Sequence, residues 1–234
     1  MKVLLSLVLA CGMGAAQAAN YVTLSGADVD FFIDADYFDV SAATVTGNAI
    51  SFAFTPPEYT LSVAGNQPGS RSEGTLFSDR SKLFYVVAHE GYGVSPRFQA
   101  NASAVYAASA DTSRATGSIN SYAFSSTYSN GVFSSSPDSN GFQFLQLNRT
   151  GGASSEVVDF SGYGNGQRVP VGALGMDLNL SAQVTQEGVS STALSIRQLG
   201  YSFTVTAVPE PEAWLMVLAG LGVMGWALRL NRAS

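Results

Sequence analysis

The sequence predicts an all-β fold, an antiparallel β-sandwich of jelly-roll type, on three observations. Apolar and polar residues alternate with a period of two through much of the 234-residue chain, as they do where one strand face covers a core and the other meets water. Glycine, asparagine and proline clusters interrupt that alternation at short intervals, and between the two ends no stretch repeats its apolar residues every three or four positions. Roughly ten short strands without helices between them need a second sheet to cover the first.

The elements follow in order. Residues 20–24 open the first strand. In the next, Val29, Phe31, Ile33, Ala35 and Tyr37 fall on one face and Asp28, Asp30, Phe32, Asp34 and Asp36 on the other. Gly47-Asn48 is placed to turn a hairpin between 43–46 and 49–54, and Pro56-Pro57 ends its second strand. A strand at 59–64 and a loop at 65–74 come next. Residues 82–89 are a nearly continuous apolar run with valine and aromatics, the pattern of a strand covered on both faces.

From residue 97 onward Phe98, Ala100, Ala102, Ala104, Tyr106 and Ala108 alternate with Gln99, Asn101, Ser103, Val105 and Ala107; such small inward residues let a facing sheet approach. Residues 115–128 read as one strand or two. Residues 134–141, with Asp138-Ser139-Asn140-Gly141, read as a turn-rich break before a strand carrying Phe142, Phe144, Leu145 and Leu147. A glycine- and serine-rich loop at 151–166 surrounds a short strand at 157–160. The cleanest alternation sets Met176, Leu178, Leu180, Ala182 and Val184 against Asp177, Asn179, Ser181, Gln183 and Thr185, and strands at 192–196 and 201–207 complete the set.

Both ends depart from this pattern. Residues 1–19 read as a cleaved secretory signal peptide: Lys2 supplies the positive charge, Val3 to Ala10 the apolar core and Ala16-Gln17-Ala18 the small-residue cleavage pattern. The single cysteine, Cys11, falls inside it, so the exported chain is expected to carry no disulfide. Residues 20–207 then form one β-sandwich domain, long enough for a single core.

Residues 208–234 divide into a Val-Pro-Glu-Pro-Glu segment (208–212), an uncharged apolar run (213–228) and a basic tail (229–234). A helix over the run satisfies its own backbone hydrogen bonds in hydrocarbon, so a single transmembrane helix is expected there. Trp214 and Trp226 lie near its edges, and Arg229 and Arg232 form a membrane stop that keeps the C-terminus in the cytoplasm. Sixteen residues at about 1.5 Å each span roughly 24 Å, a short anchor for a hydrocarbon core of about 30 Å. Pro209 and Pro211 hold the chain extended before the helix, where a processing enzyme can grip the backbone.

This ending resembles the PEP-CTERM sorting signal of exported Gram-negative bacterial proteins. Pro209, Glu210 and Pro211 match its motif, residues 213–228 its membrane helix, and Arg229 with Arg232 its basic stop. The resemblance implies an exosortase-type membrane enzyme as partner, encoded with exopolysaccharide genes. It also implies export through the inner membrane, transient anchoring by the helix, and release to the cell surface or extracellular matrix. It covers about the last ninth of the chain and leaves the work of the β domain open.

Composition and spacing narrow that work. Charged residues make up 12% of the chain and the formal net charge is −6, which gives no basic footprint for nucleic acid. Asp28, Asp30, Asp34 and Asp36 are candidate Ca²⁺ ligands, since that ion wants several carboxylate oxygens. Residues two apart on a strand stand roughly 7 Å from one another, however, so sharing an ion requires a bend; the other reading is a solvated acidic face. His89 is the only histidine, which removes the paired imidazoles of a zinc-protease helix, and no Gly-x-Ser-x-Gly elbow is present. The Gly-x-Gly-x-x-Gly pattern at 220–225 lies within the apolar run and not after a strand, so no phosphate site is expected there.

The expectation is therefore a non-enzymatic exported protein, associated with exopolysaccharide and biofilm, with no cofactor beyond the calcium candidate. One alternative is a carbohydrate-binding or calcium-dependent adhesion module, with Tyr92, Tyr122, Tyr128 and Tyr163 as ring candidates for sugar stacking. A second is a secreted hydrolase using paired carboxylates such as Asp34 and Asp36, which would have to face one another at about 5 to 9.5 Å.

Overall fold

The computed structural model describes residues 20–36, 39–54, 59–65, 67–68, 71–167 and 169–208, with Met216, Leu218, Ala219 and Leu221 beyond them. Among these the strands are β1 (Tyr21–Ser25), β2 (Val29–Asp34), β3 (Ala43–Thr46), β4 (Ala49–Ala53), β5 (Thr60–Ala64), β6 (Arg71–Ala88), β7 (Tyr92–Ala108), β8 (Arg114–Ser129), β9 (Val132–Thr150), β10 (Ala153–Tyr163), β11 (Asn165–Gly166), β12 (Ala173–Glu187) and β13 (Ser191–Ala207). Every pairing is antiparallel. The first sheet has the order β1-β2-β6-β12-β8-β9-β11, and the second β10-β7-β13-β4-β3, with β5 also on β13.

The two sheets close on one core. Phe98, Ala100, Ala102, Ala104, Tyr106 and Ala108 of β7, and Met176, Leu178, Leu180, Ala182 and Val184 of β12, are buried as their alternation predicts. At the centre Phe84 of β6 lies 5.3 Å from the Tyr201 ring of β13 and 5.6 Å from that of Phe52 on β4, joining the sheets through aromatic packing.

Short turns set the register. Gly47 takes φ 59° as the first residue of the two-residue turn that pairs Thr46 with Ala49, as a primed hairpin turn requires. Asn130 and Gly131, at φ 53° and 80°, turn β8 into β9 and pair Ser129 with Val132. The hairpin turn thus falls on Asn-Gly and not on the expected break at 134–141, and Asp138 to Gly141 belong to β9. Pro137 is tolerated because it falls in a register irregularity of the β8–β9 ladder, between the pairs Phe124–Ser139 and Ser126–Ser135, on a strand that β11 covers only at Gly141 and Phe142. Further along β9, Gln143, Leu145 and Leu147 face inward; Phe144 is exposed.

Other strands run longer than composition suggests. β6 begins at Arg71, within the expected loop, and β10 extends over 11 residues of the glycine- and serine-rich stretch. The two expected final strands are one, β13, interrupted only by register shifts at Ile196/Gln198 and Phe203/Val205. Hydrogen bonding to long neighbours carries these polar segments through the sheet where their own propensity is weak. The run expected to be covered on both faces is: Leu83, Phe84, Tyr85 and Val86 are all buried.

The signal peptide at 1–19 lies outside the described residues. So does the helix at 213–228, apart from Met216, Leu218, Ala219 and Leu221, which are helical, with Met216, Leu218 and Leu221 well exposed. Among the described residues no helix is long and apolar enough to cross a membrane.

Candidate functional site

The C-terminal tag is attached without slack. β13 pairs with the start of β7 as far as Ala207, opposite Tyr92, and the Val208 amide donates to the Gly91 carbonyl at 2.8 Å. Gly93 permits this closeness, since a Cβ there would meet Pro170 at 2.8 Å and Val208 at 3.1 Å. The chain thus leaves the sandwich one residue before Pro209. Pro209, Glu210, Pro211, Arg229 and Arg232 lie outside the described residues.

The acidic residues near β2 have separate partners. Asp28 and Asn48 hold each other reciprocally: the Asp28 amide donates to Asn48 Oδ1 at 2.8 Å, and Asn48 Nδ2 to Asp28 Oδ2 at 2.9 Å. Asp30 meets His89 Nε2 at 3.2 Å. Asp34, only 7% exposed, accepts from the Asp36 amide at 3.0 Å, and Asp36 is exposed in the turn that follows the strand. Among the described residues no three His, Cys, Asp or Glu side chains gather as a metal-binding group. The β2 alternation was legible; the partners from the β3–β4 turn and the β6–β7 turn were not.

The four tyrosines chosen for sugar stacking are dispersed. Tyr92 is at the tag end. Tyr122 packs on Phe142 at 5.1 Å, and Tyr163, 69% exposed, ends the edge strand β10. Tyr128 belongs to a five-ring cluster on the outer face of the first sheet. There Phe133 stacks on Tyr85 at 3.9 Å and 11°, on Tyr128 at 4.6 Å, and meets Tyr21 and Phe32 edge-on at 5.3 and 5.2 Å. The β8–β9 hairpin reaches Tyr85 because Gly175 has no side chain: a Cβ there would come 2.9 Å from the Tyr85 ring and 3.1 Å from the hydroxyls of Ser126 and Ser135. Burial, then the neighbouring Tyr85 and Asp34, push the Tyr21 phenol above its ordinary value.

The outer face of the second sheet carries a line of shallow depressions along β7. One of about 360 Å³ is floored by Arg97, Gln99, Ser202 and Thr204 beside Tyr163. A second of about 250 Å³ lies among Asn101, Ser103, Asp159 and Gln198, and a third of about 680 Å³ spans β5, β13 and β7 over alanine and serine. The ladder explains the grouping: Gln99 stands between Tyr163 and Ser202, Asn101 between Ser161 and Gly200, and Ser103 between Asp159 and Gln198. Sequence alternation places the β7 residues outward, but only strand order supplies their neighbours.

Residues 207–233 match the family model described as the PEP-CTERM protein-sorting motif. That agrees with the tag read from Pro209, Glu210 and Pro211 and carries the export and exosortase-type processing that such a motif implies. No curated protein matches the chain. Solved structures with some similarity include that of infectious bursal disease virus Gt strain, 10% identical over 70% of this chain and 42% of that one, TM-score 0.16. The structure of the Gx strain is 11% identical over 69% and 44%, TM-score 0.15. The chain thus spans less than half the length of these structures, and at such scores the likeness carries no structural argument.

Proposed function

We propose that this chain is an exported, non-enzymatic protein whose sorting tag delivers a jelly-roll sandwich to the cell surface or extracellular matrix, where it associates with exopolysaccharide. The observation that carries the reading is the motif match at 207–233, which begins at the last residue of β13. An exosortase-type enzyme would meet the Pro209 to Pro211 segment with the folded domain on one side and the 213–228 helix on the other. The five residues 208–212 reach at most about 17 Å when extended, so the segment would be engaged close to the membrane surface.

Strand order supports the jelly-roll reading: β4-β13-β7-β10 faces β6-β12-β8-β9, so consecutive strands cross repeatedly between sheets in the manner of two nested Greek keys. Sparse charge and a surface of serine, threonine, asparagine and glutamine suit a matrix of hydroxyl-rich polymer. The test is replacement of Pro209 to Pro211 with alanine, followed by fractionation of the native cells. Accumulation of the variant in the inner membrane is expected; an unchanged destination would contradict the reading.

A further inference from the structure

We propose that the outer face of the second sheet is a binding face for a neutral, linear polysaccharide that lies along β7, with one sugar ring on Tyr163. This rests on the reading of the protein as an exopolysaccharide partner and adds the surface and the chemical class of the ligand. Three features of the face converge on it.

The first is shape. Depressions of about 360, 250 and 680 Å³ follow one strand from Ser95 to Ser109, a length of about 45 Å at the usual rise. An extended polymer fits that line, whereas an enclosed small-molecule site would be a single cavity.

The second is hydrogen-bonding capacity. Among the described residues the side chains of Gln99, Asn101, Ser103, Asp159 and Gln198 make no hydrogen bond within the protein. Each amide offers donors and an acceptor, the complement of a hydroxyl. Asn101 lies over Gly200, where any side chain would collide with its amide, so the missing Cβ fixes the depth of the trough.

The third is charge together with the exposed ring. Among the residues lining these depressions one guanidinium, Arg97, and one carboxylate, Asp159, flank otherwise neutral groups, so the troughs favour neither a polyanion nor a polycation. Tyr163 sits at the rim opposite Gln99 and is 69% exposed. A hexose can lay its C–H face on that ring while its hydroxyls reach the amides.

The test is affinity electrophoresis of the full chain in non-ionic detergent, through gels cast with galactomannan, hydroxyethylcellulose or dextran, and with anionic alginate for comparison. Retardation by at least one neutral polymer is expected. Tyr163→Ala and Asn101→Ala should each weaken it about tenfold, Tyr163→Trp should retain it, and Tyr128→Ala on the other sheet should leave it unchanged. Thermal midpoints of the exposed-site variants, equal to that of the parent, separate lost binding from lost folding. Retardation by no neutral polymer, by alginate alone, or to the same degree in Tyr163→Ala and Asn101→Ala would overturn the proposal. The assay reads purified protein, so a failure of sorting in cells does not bear on it, and a failure of binding leaves the sorting reading intact.

Discussion

Tyr201 of β13 and Ser121 of β8 meet across the sandwich, their hydroxyl oxygens 2.9 Å apart with both residues buried. Each satisfies the other in the middle of an apolar core, where an unpaired hydroxyl is costly. The pair also fixes the relative register of the two sheets at the point where Phe84 and Phe98 pack on the Tyr201 ring.

Tyr201→Phe removes one hydroxyl and strands the other, so it should cost about 1 to 2 kcal/mol in urea unfolding. Ser121→Ala leaves the larger phenol unpaired and should cost at least as much. The double variant should cost less than the sum, because no polar group is then orphaned.

Burial pushes the Tyr201 phenol above its ordinary value, with the Ser121 hydrogen bond opposing more weakly. Burial and then Glu156 raise Tyr106 in the same direction. A group whose folded pKa is raised contributes fully below its unfolded value and loses that contribution as pH climbs beyond it. Thermal stability should therefore fall above about pH 10, and Tyr201→Phe should flatten part of that fall. A midpoint independent of pH from 9 to 11.5 would contradict this.

Gly175 is the space into which the β8–β9 hairpin settles. Gly175→Val puts a Cβ within 2.9 Å of the Tyr85 ring and 3.1 Å of Ser126 and Ser135, so Tyr85 and Phe133 should separate. The expected cost is about 1 to 3 kcal/mol, with loss of near-ultraviolet dichroism from the stacked rings.

Calcium should produce neither calorimetric heat nor a shift in thermal midpoint, because Asp28, Asp30 and Asp34 already have separate partners in Asn48, His89 and the Asp36 amide. Stabilisation by calcium that Asp30→Asn abolishes would show that these carboxylates come together when the ion binds.

The inward sets of β7 and β12 were legible because alternation is a property of neighbouring residues. The extent of β9 was not, since Ser134 to Gly141 look like a turn until the Asn130-Gly131 hairpin and an open edge are known. Phe133 gave no signal of its own, because its place on Tyr85 depends on Gly175, two strands away. Gln99, Asn101 and Ser103 were legible as outward residues but not as a trough, which exists only once β10 and β13 flank β7.

The most direct test of the central claim, that the ending is an address and the sandwich its cargo, is the intact mass of the protein recovered from native cells with and without the exosortase-type enzyme. The expected result is a mature chain lacking the terminal helix and basic tail, found outside the inner membrane only when the enzyme is present. A chain of the same mass and location in both strains would contradict the account.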